Sequence, residues 1–172
     1  SEGLIVDGVV SKPTVDAVAS EPVAISEPVV LSAASIDFVT NSTELRKNWL
    51  EKKQLIGPEG GVITFGTKRV GFSTLSFPAG AVSEEVMIRI VLKLDGVREV
   101  FLYEHQQFSQ PVTLQLSLNG VKARQIDDIL ALKLYHHLKK LRGWEEVDSY
   151  SDGSFVNATL WHFSRYAVGS DS

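Results

Sequence analysis

The sequence predicts an all-β fold, an antiparallel β-sandwich with an extended N-terminal segment and one short helix. From Leu55 onward, apolar residues recur with a period of two in seven or eight short runs, the spacing of strands that bury one face. A chain of 172 residues that is 44% apolar can bury the core of one such domain. The runs are separated by turn-forming residues, with clear pairs at Asp95-Gly96, Asn119-Gly120, Arg142-Gly143 and Asp152-Gly153.

Residues 1–40 form the first predicted region, an extended segment rich in Val, Pro and Ser. It holds three of the six prolines, in an approximate repeat around Pro13, Pro22 and Pro28. Each proline pushes the preceding residue toward extended backbone and cannot donate to a sheet, so a helix is unfavourable here. Such a segment could be a free stalk, but its many apolar residues favour docking on a sheet.

Six apolar side chains of this segment are candidates for docking in short pieces on sheet edges or along a groove: Val23, Ile25, Val29, Leu31, Ile36 and Phe38. A segment that docks on another copy donates a strand, and without closure this builds a filament. A segment that folds back on its own sandwich covers an edge and leaves the protein monomeric. Both arrangements are open, and we favour donation because residues 1–22 resemble a linker that gives the strand reach.

Residues 41–54 are the helix candidate. Their first three residues, Asn-Ser-Thr, can cap a helix, and two lysines suit its C-terminal end. Leu45 and Trp49 lie four residues apart and would share a face. The pattern predicts a short amphipathic connector that packs on the sandwich, which we expect to span residues 55–172.

Composition argues against several classes of function. The chain has no cysteine, which excludes disulfides, cysteine-ligated metal centres and a cysteine nucleophile. A formal net charge of -4 argues against a nucleic-acid surface. There is no run of about 18 apolar residues, so we expect no membrane span. We find no phosphate-binding loop and no nucleophile elbow, and we expect no cofactor.

The histidines and acidic residues lack the spacing of a metal site. His136 and His137 are neighbours on a predicted strand, so their side chains point to opposite faces and cannot share one metal. His105 has too few neighbouring ligands. The acidic runs near Asp128 and Asp148 lack the pattern of a calcium loop. We therefore expect no metal site.

Five stretches occur in a recognisable order within residues 56–169: IGPEGGVITFG at 56–66, TLSFPAGAVSEEVMIRIVL at 74–92, FSQPVTLQLSL at 108–118, LKLYHHLKKLRGWEEV at 132–147 and LWHFSRYAVG at 160–169. Together they resemble the ZU-five β-sandwich family of zonula occludens proteins, netrin receptors and ankyrins, and most closely its bacterial cell-surface relatives. The resemblance implies a β-sandwich. It also implies a binding or connecting role, because these domains serve as such modules on many unrelated proteins.

The tripeptide His162-Phe163-Ser164 carries the one catalytic hypothesis. Some eukaryotic relatives in the resembled family cleave themselves at His-Phe-Ser, which implies attack of the Ser164 hydroxyl on the Phe163 carbonyl with His162 as the base. Against this, the bacterial relatives carry the same tripeptide as a routine ending. A cut would also separate only nine residues, SRYAVGSDS.

We favour a structural role for this tripeptide. A local bulge would turn Tyr166 and Val168 toward the core, and the Tyr166 hydroxyl would bond to nearby backbone. Strand alternation predicts that Trp161 and Phe163 face one way. We expect one core to contain Phe77, Leu114, Trp144, Trp161, Phe163 and Tyr166.

The sequence thus predicts a non-enzymatic, exported β-sandwich module, a structural or adhesive subunit of a cell surface or extracellular assembly. Its expected partners are proteins, including copies of itself bound through the N-terminal segment. The first residue is Ser1 rather than Met, and we expect a processed or trimmed product. The alternative is a self-processing module that cleaves between Phe163 and Ser164. A cytoplasmic adaptor is disfavoured by the exported-looking N-terminal segment.

Overall fold

Antiparallel strands account for nearly all the regular structure of a computed structural model, which describes residues 29–42, 48–104, 106–122 and 128–171. Short 3-10 helices lie at Ala33–Ser35 and Ile129–Ala131. The strands are β1 Ile36–Phe38, β2 Trp49–Ile56, β3 Gly61–Thr67, β4 Gly71–Phe77, β5 Val86–Lys93, β6 Glu99–Tyr103, β7 Gln107–Ser117, β8 Lys133–Leu138, β9 Gly143–Glu146, β10 Ser149–Ser151, β11 Phe155–His162 and β12 Arg165–Asp171.

The strands form two sheets. The seven-stranded sheet has the order β9-β8-β12-β6-β5-β2, with β1 also paired to β12. The five-stranded sheet has the order β10-β11-β7-β4-β3. Every strand pair is antiparallel. The prediction of an all-β antiparallel sandwich is confirmed.

The main core lies between the two sheets and includes four of the six side chains predicted for it, Phe77, Leu114, Phe163 and Tyr166. The other two predictions are wrong. Trp161 is 47% exposed, because it follows the buried Leu160 in a strand whose side chains alternate between the two faces. The register shift after Leu160 turns Phe163 inward, so the two side chains do not face one way as expected. Trp144 belongs to a separate cluster on the outer face of the seven-stranded sheet, the face turned away from the five-stranded sheet.

The predicted helix at 41–54 is wrong for the residues the structure describes there. Residues 49–56 form β2, which pairs with β5 along its whole length, from Trp49 opposite Lys93 to Ile56 opposite Val86. Exposed and less exposed residues alternate along it. Pairing with a neighbouring strand outweighs the small differences in local helix propensity. Residues 43–47, which include Leu45, lie outside the described residues. The seven-stranded sheet therefore takes in residues before 55.

Three of the four predicted turn pairs place their glycine in the left-handed region. Gly96, Gly120 and Gly153 have φ angles of 60°, 80° and 96°. At the fourth pair the left-handed residue is Arg142, with a φ of 52°, and Gly143 begins β9. Gly143 therefore needs another explanation.

Candidate functional site

The His162-Phe163-Ser164 tripeptide lies where the chain crosses between the sheets. β11 ends at His162 in the five-stranded sheet, and β12 begins at Arg165 in the seven-stranded sheet. The buried Phe163 ring packs edge-on against the ring of Phe108, with 4.7 Å between centroids. The Ser164 carbonyl accepts a hydrogen bond of 2.9 Å from the backbone N–H of Leu102. The corner is thus fixed to both sheets.

The Tyr166 side chain closes this corner. Its hydroxyl donates a hydrogen bond of 2.7 Å to the His162 carbonyl oxygen, which confirms the predicted bond to nearby backbone. The ring is buried in the main core. Burial, with a smaller contribution from the charge of Glu145, raises the pKa of Tyr166. The hydroxyl therefore keeps its proton and acts as a hydrogen-bond donor.

The structure does not bring the three cleavage residues into contact as a catalytic unit. Within the described part of the chain, no hydrogen bond joins the His162 imidazole to the Ser164 hydroxyl. The His162 ring instead packs against the His136 ring, with 5.0 Å between centroids. Phe163 and Ser164 have no left-handed backbone conformation. The contacts hold the carbonyls on either side of Phe163, and self-cleavage stays a hypothesis.

His136 and His137 point to opposite faces of β8, as predicted. His136 packs against Tyr166 of the main core, and its Nδ1 lies 3.6 Å from Glu145 Oε1. His137 packs edge-on against Trp144 on the outer face. Burial, followed by the nearby charge of His162, lowers the pKa of His136. No group of three or more His, Asp or Glu side chains suited to a metal occurs among the described residues, and His105 is not among them.

The N-terminal segment provides the second candidate site. Ile36–Phe38 pairs with Gly169–Asp171 of β12, and Leu31 exchanges two backbone hydrogen bonds with Trp144, of 2.7 and 2.8 Å. The Phe38 ring lies 4.9 Å from the Trp144 ring. We call the resulting group of side chains the outer cluster, and its members are Leu31, Ile36, Phe38, Val97, Tyr135, Trp144 and Ala167.

Two glycines make room for this segment. A Cβ atom at Gly169 would lie 2.8 Å from Ile36 Cγ2 and 2.9 Å from the Asp37 carbonyl oxygen. A Cβ at Gly143 would overlap Val30 Cγ1 and lie 2.9 Å from the Leu31 carbonyl oxygen. This explains Gly143, whose own φ is not left-handed. Sequence reasoning assigned it to a turn because its contact is over a hundred residues away in the chain.

A buried arginine anchors the end of the segment. Arg98 is fully buried and hydrogen-bonds through Nε to the Asn41 side-chain oxygen. Its other nitrogens donate to the carbonyls of Ser117 and Asn119, at 2.7 and 2.8 Å. Burial lowers the pKa of Arg98 to about 10, so the guanidinium is charged at neutral pH. Asn41, which was expected to cap the predicted helix, is therefore an anchor of the sheet.

The candidate docking residues fall into three groups. Ile36 is buried, and Leu31 and Phe38 are half-buried. Val29 is 74% exposed. Val23 and Ile25 lie outside the described residues. Leu31, Ile36 and Phe38 thus contact their own sandwich, which is one of the two arrangements that the sequence leaves open. The favoured alternative, donation of the segment to another copy, stays a prediction.

One edge of the seven-stranded sheet is open. Among the described residues, β2 pairs only with β5, and its other edge has no neighbouring strand. Trp49 and Leu55, at its two ends, are 54% and 51% exposed. Unpaired edges are templates for pairing with another chain. Sequence reasoning missed this surface because it assigned Trp49 to a helix.

Comparisons with family models and with curated proteins found no match to this chain. The resemblance to the ZU-five family therefore rests on the five sequence stretches alone. In the described part of the chain, no helix is long and apolar enough to cross a membrane.

Proposed function

We propose that this chain is a non-enzymatic, exported β-sandwich module that serves as a structural or adhesive subunit of a cell-surface or extracellular assembly, joined to other copies through its N-terminal segment. The proposed location follows from the resemblance to bacterial cell-surface relatives. The proposed mode of assembly follows from the two edges of the seven-stranded sheet.

One observation carries this proposal. The segment reaches the sheet at β9, where Leu31 bonds to Trp144, and the open edge at β2 lies at the opposite end of the strand order. Five strand spacings separate β9 from β2, or about 24 Å. A chain that leaves one edge of a subunit and pairs with the opposite edge of the next gives a head-to-tail contact, which repeats without closing.

The contacts at the corner of His162 and Ser164 support a structural role for this tripeptide. The observed contacts of this corner, the hydrogen bond from Tyr166 and the packing of Phe163, serve the joining of the two sheets.

Deletion of residues 1–28 tests the proposal, because it leaves every described strand in place. We expect the full chain to self-associate with rising concentration in sedimentation velocity, and negative-stain microscopy to show linear assemblies. The deleted chain should stay monomeric with an unchanged circular dichroism spectrum. A full chain that is strictly monomeric at high concentration, or assemblies that survive the deletion, would contradict the proposal.

A further inference from the structure

We propose that residues 4–11 of one copy pair with the open edge of β2 in the next copy, as an antiparallel added strand. This inference rests on the proposed function, and it names the donor and the acceptor that the assembly would use.

The acceptor is β2, whose length and side-chain pattern suit pairing with a further strand along its open edge. All eight residues of β2 pair with β5, and within the described ranges the backbone groups along its other edge have no partner strand and could pair with a new one. The side chains that point to the outer face are Trp49, Glu51, Lys53 and Leu55, with apolar residues at the ends and opposite charges between them. An added strand needs a matching alternation on that face.

The donor is chosen by composition and length. Residues 4–11 read LIVDGVVS, eight residues without proline, of which five are Leu, Ile or Val. Ile and Val are among the strongest strand formers. The rest of the undescribed N-terminal region, residues 12–28, is interrupted by Pro13, Pro22 and Pro28, each of which removes a backbone donor.

One antiparallel register of residues 4–11 against β2 places opposite charges next to each other. Asp7 opposite Lys53 places Ile5 opposite Leu55, so an ion pair and an apolar pair form on the outer face. Val6 and Val10 then point to the inner side, where they cover the gap between β2 and β3. That gap contains the hydrogen bond of 3.1 Å from Gln54 Nε2 to the Val62 carbonyl oxygen.

The connecting chain is long enough to reach a neighbouring copy. Residues 12–28 number seventeen. In an extended, proline-rich form they would span about 50 Å, which is twice the width from β9 to β2. The donor can therefore leave its own sandwich at Val29 and reach the β2 edge of the next.

Engineered cysteines test the pairing directly, because the chain has no native cysteine. One full-length variant carries Asp7→Cys and a second carries Lys53→Cys, and the two are mixed and treated with a short thiol-to-thiol crosslinker. A matched control replaces Lys53→Cys by Thr64→Cys, which places the thiol at an exposed position on β3, the open edge of the other sheet.

We expect a crosslinked dimer of the Asp7 and Lys53 variants, and only background crosslinking with the Thr64 variant. Addition of excess synthetic peptide of residues 1–12 should abolish the dimer. Equal yields with both acceptors would overturn the proposed edge. A double Asp7→Cys, Lys53→Cys variant whose crosslink forms only within one molecule would also overturn the proposal. Assemblies that form in sedimentation without this crosslink would refute the inference and leave the proposed function standing, whereas a chain that never associates would refute both.

Discussion

The Tyr166 hydroxyl makes a single hydrogen bond, to the His162 carbonyl, and this bond holds the crossing between the sheets. We predict that Tyr166→Phe lowers the free energy of unfolding by about 1 kcal/mol, because the carbonyl loses its donor while the ring still fills its place. Urea denaturation measures the change. Tyr150→Phe is the matched control, since Tyr150 is 65% exposed, and it should have no measurable effect. Equal effects of both variants would show that the hydrogen bond contributes nothing.

His136 makes stability depend on pH. Its pKa in the folded state is lowered from 6.5 by burial and by His162, so the unfolded chain binds the proton more readily. The stability that the folded state gains from a neutral His136 is thus fully present above pH 6.5, and it declines as the pH falls below that value. We predict that His136→Gln weakens this decline. Urea denaturation of both proteins at pH 7.5 and at pH values below 6.5 measures the free energy of unfolding. Parallel pH profiles for the two proteins would be the contrary result.

At the scale of elements, the position of the N-terminal segment depends on the absence of side chains at Gly143 and Gly169. We predict that Gly143→Ala lowers the free energy of unfolding by about 1–3 kcal/mol, because the new methyl group displaces Val30 and the Leu31 backbone. The backbone at Gly143 itself would accept alanine.

A second background separates this cause from others. In a chain that lacks residues 1–32, Gly143→Ala should be nearly neutral, because the residues that it displaces are gone. A penalty that persists in the truncated chain would show that the segment does not occupy this place.

The wrong helix prediction at 41–54 shows which elements a local sequence pattern can identify. Most strands from Gly61 onward were predictable, because their apolar residues alternate and their turns contain glycine. β2 was not, because its sequence WLEKKQLI mixes charged and apolar residues in a way that also suits a short helix. Its identity as a strand depends on β5, which lies about forty residues away in the chain.

At the scale of the whole molecule, we predict that the chain is intact. Mass spectrometry of the purified protein should show one species near the sequence mass of 18.9 kDa, and Ser164→Ala should leave that pattern unchanged. The structural role of the tripeptide would be refuted by loss of SRYAVGSDS from the unmodified protein but not from the variant.

The sequence alone was sufficient for the fold class, which follows from strand period and turn chemistry, and it predicted Phe163 and Tyr166 in the core. Strand period does not explain Phe163, because alternation put it on the same face as Trp161 and the register shift after Leu160 separates the two. It was insufficient for the outer cluster. Trp144 was expected in the main core because a strand pattern shows that one face of the strand is apolar. The pattern does not show which of two apolar clusters that face contacts. The open edge at β2 was likewise hidden, since an edge is defined by the strand that is missing beside it.

The place of β12 in the sheet has a consequence for the order of folding. This strand lies in the middle of the seven-stranded sheet and pairs with β1, β6 and β8. Phe38 and its partner Gly169 are separated by almost the whole described length of the chain. During synthesis, β1 therefore emerges from the ribosome long before its partner exists, and the sheet cannot close until β12 has emerged. Contacts so distant in sequence make folding slow. Until β12 has emerged, Ile36 and Phe38 lack the strand with which they pair.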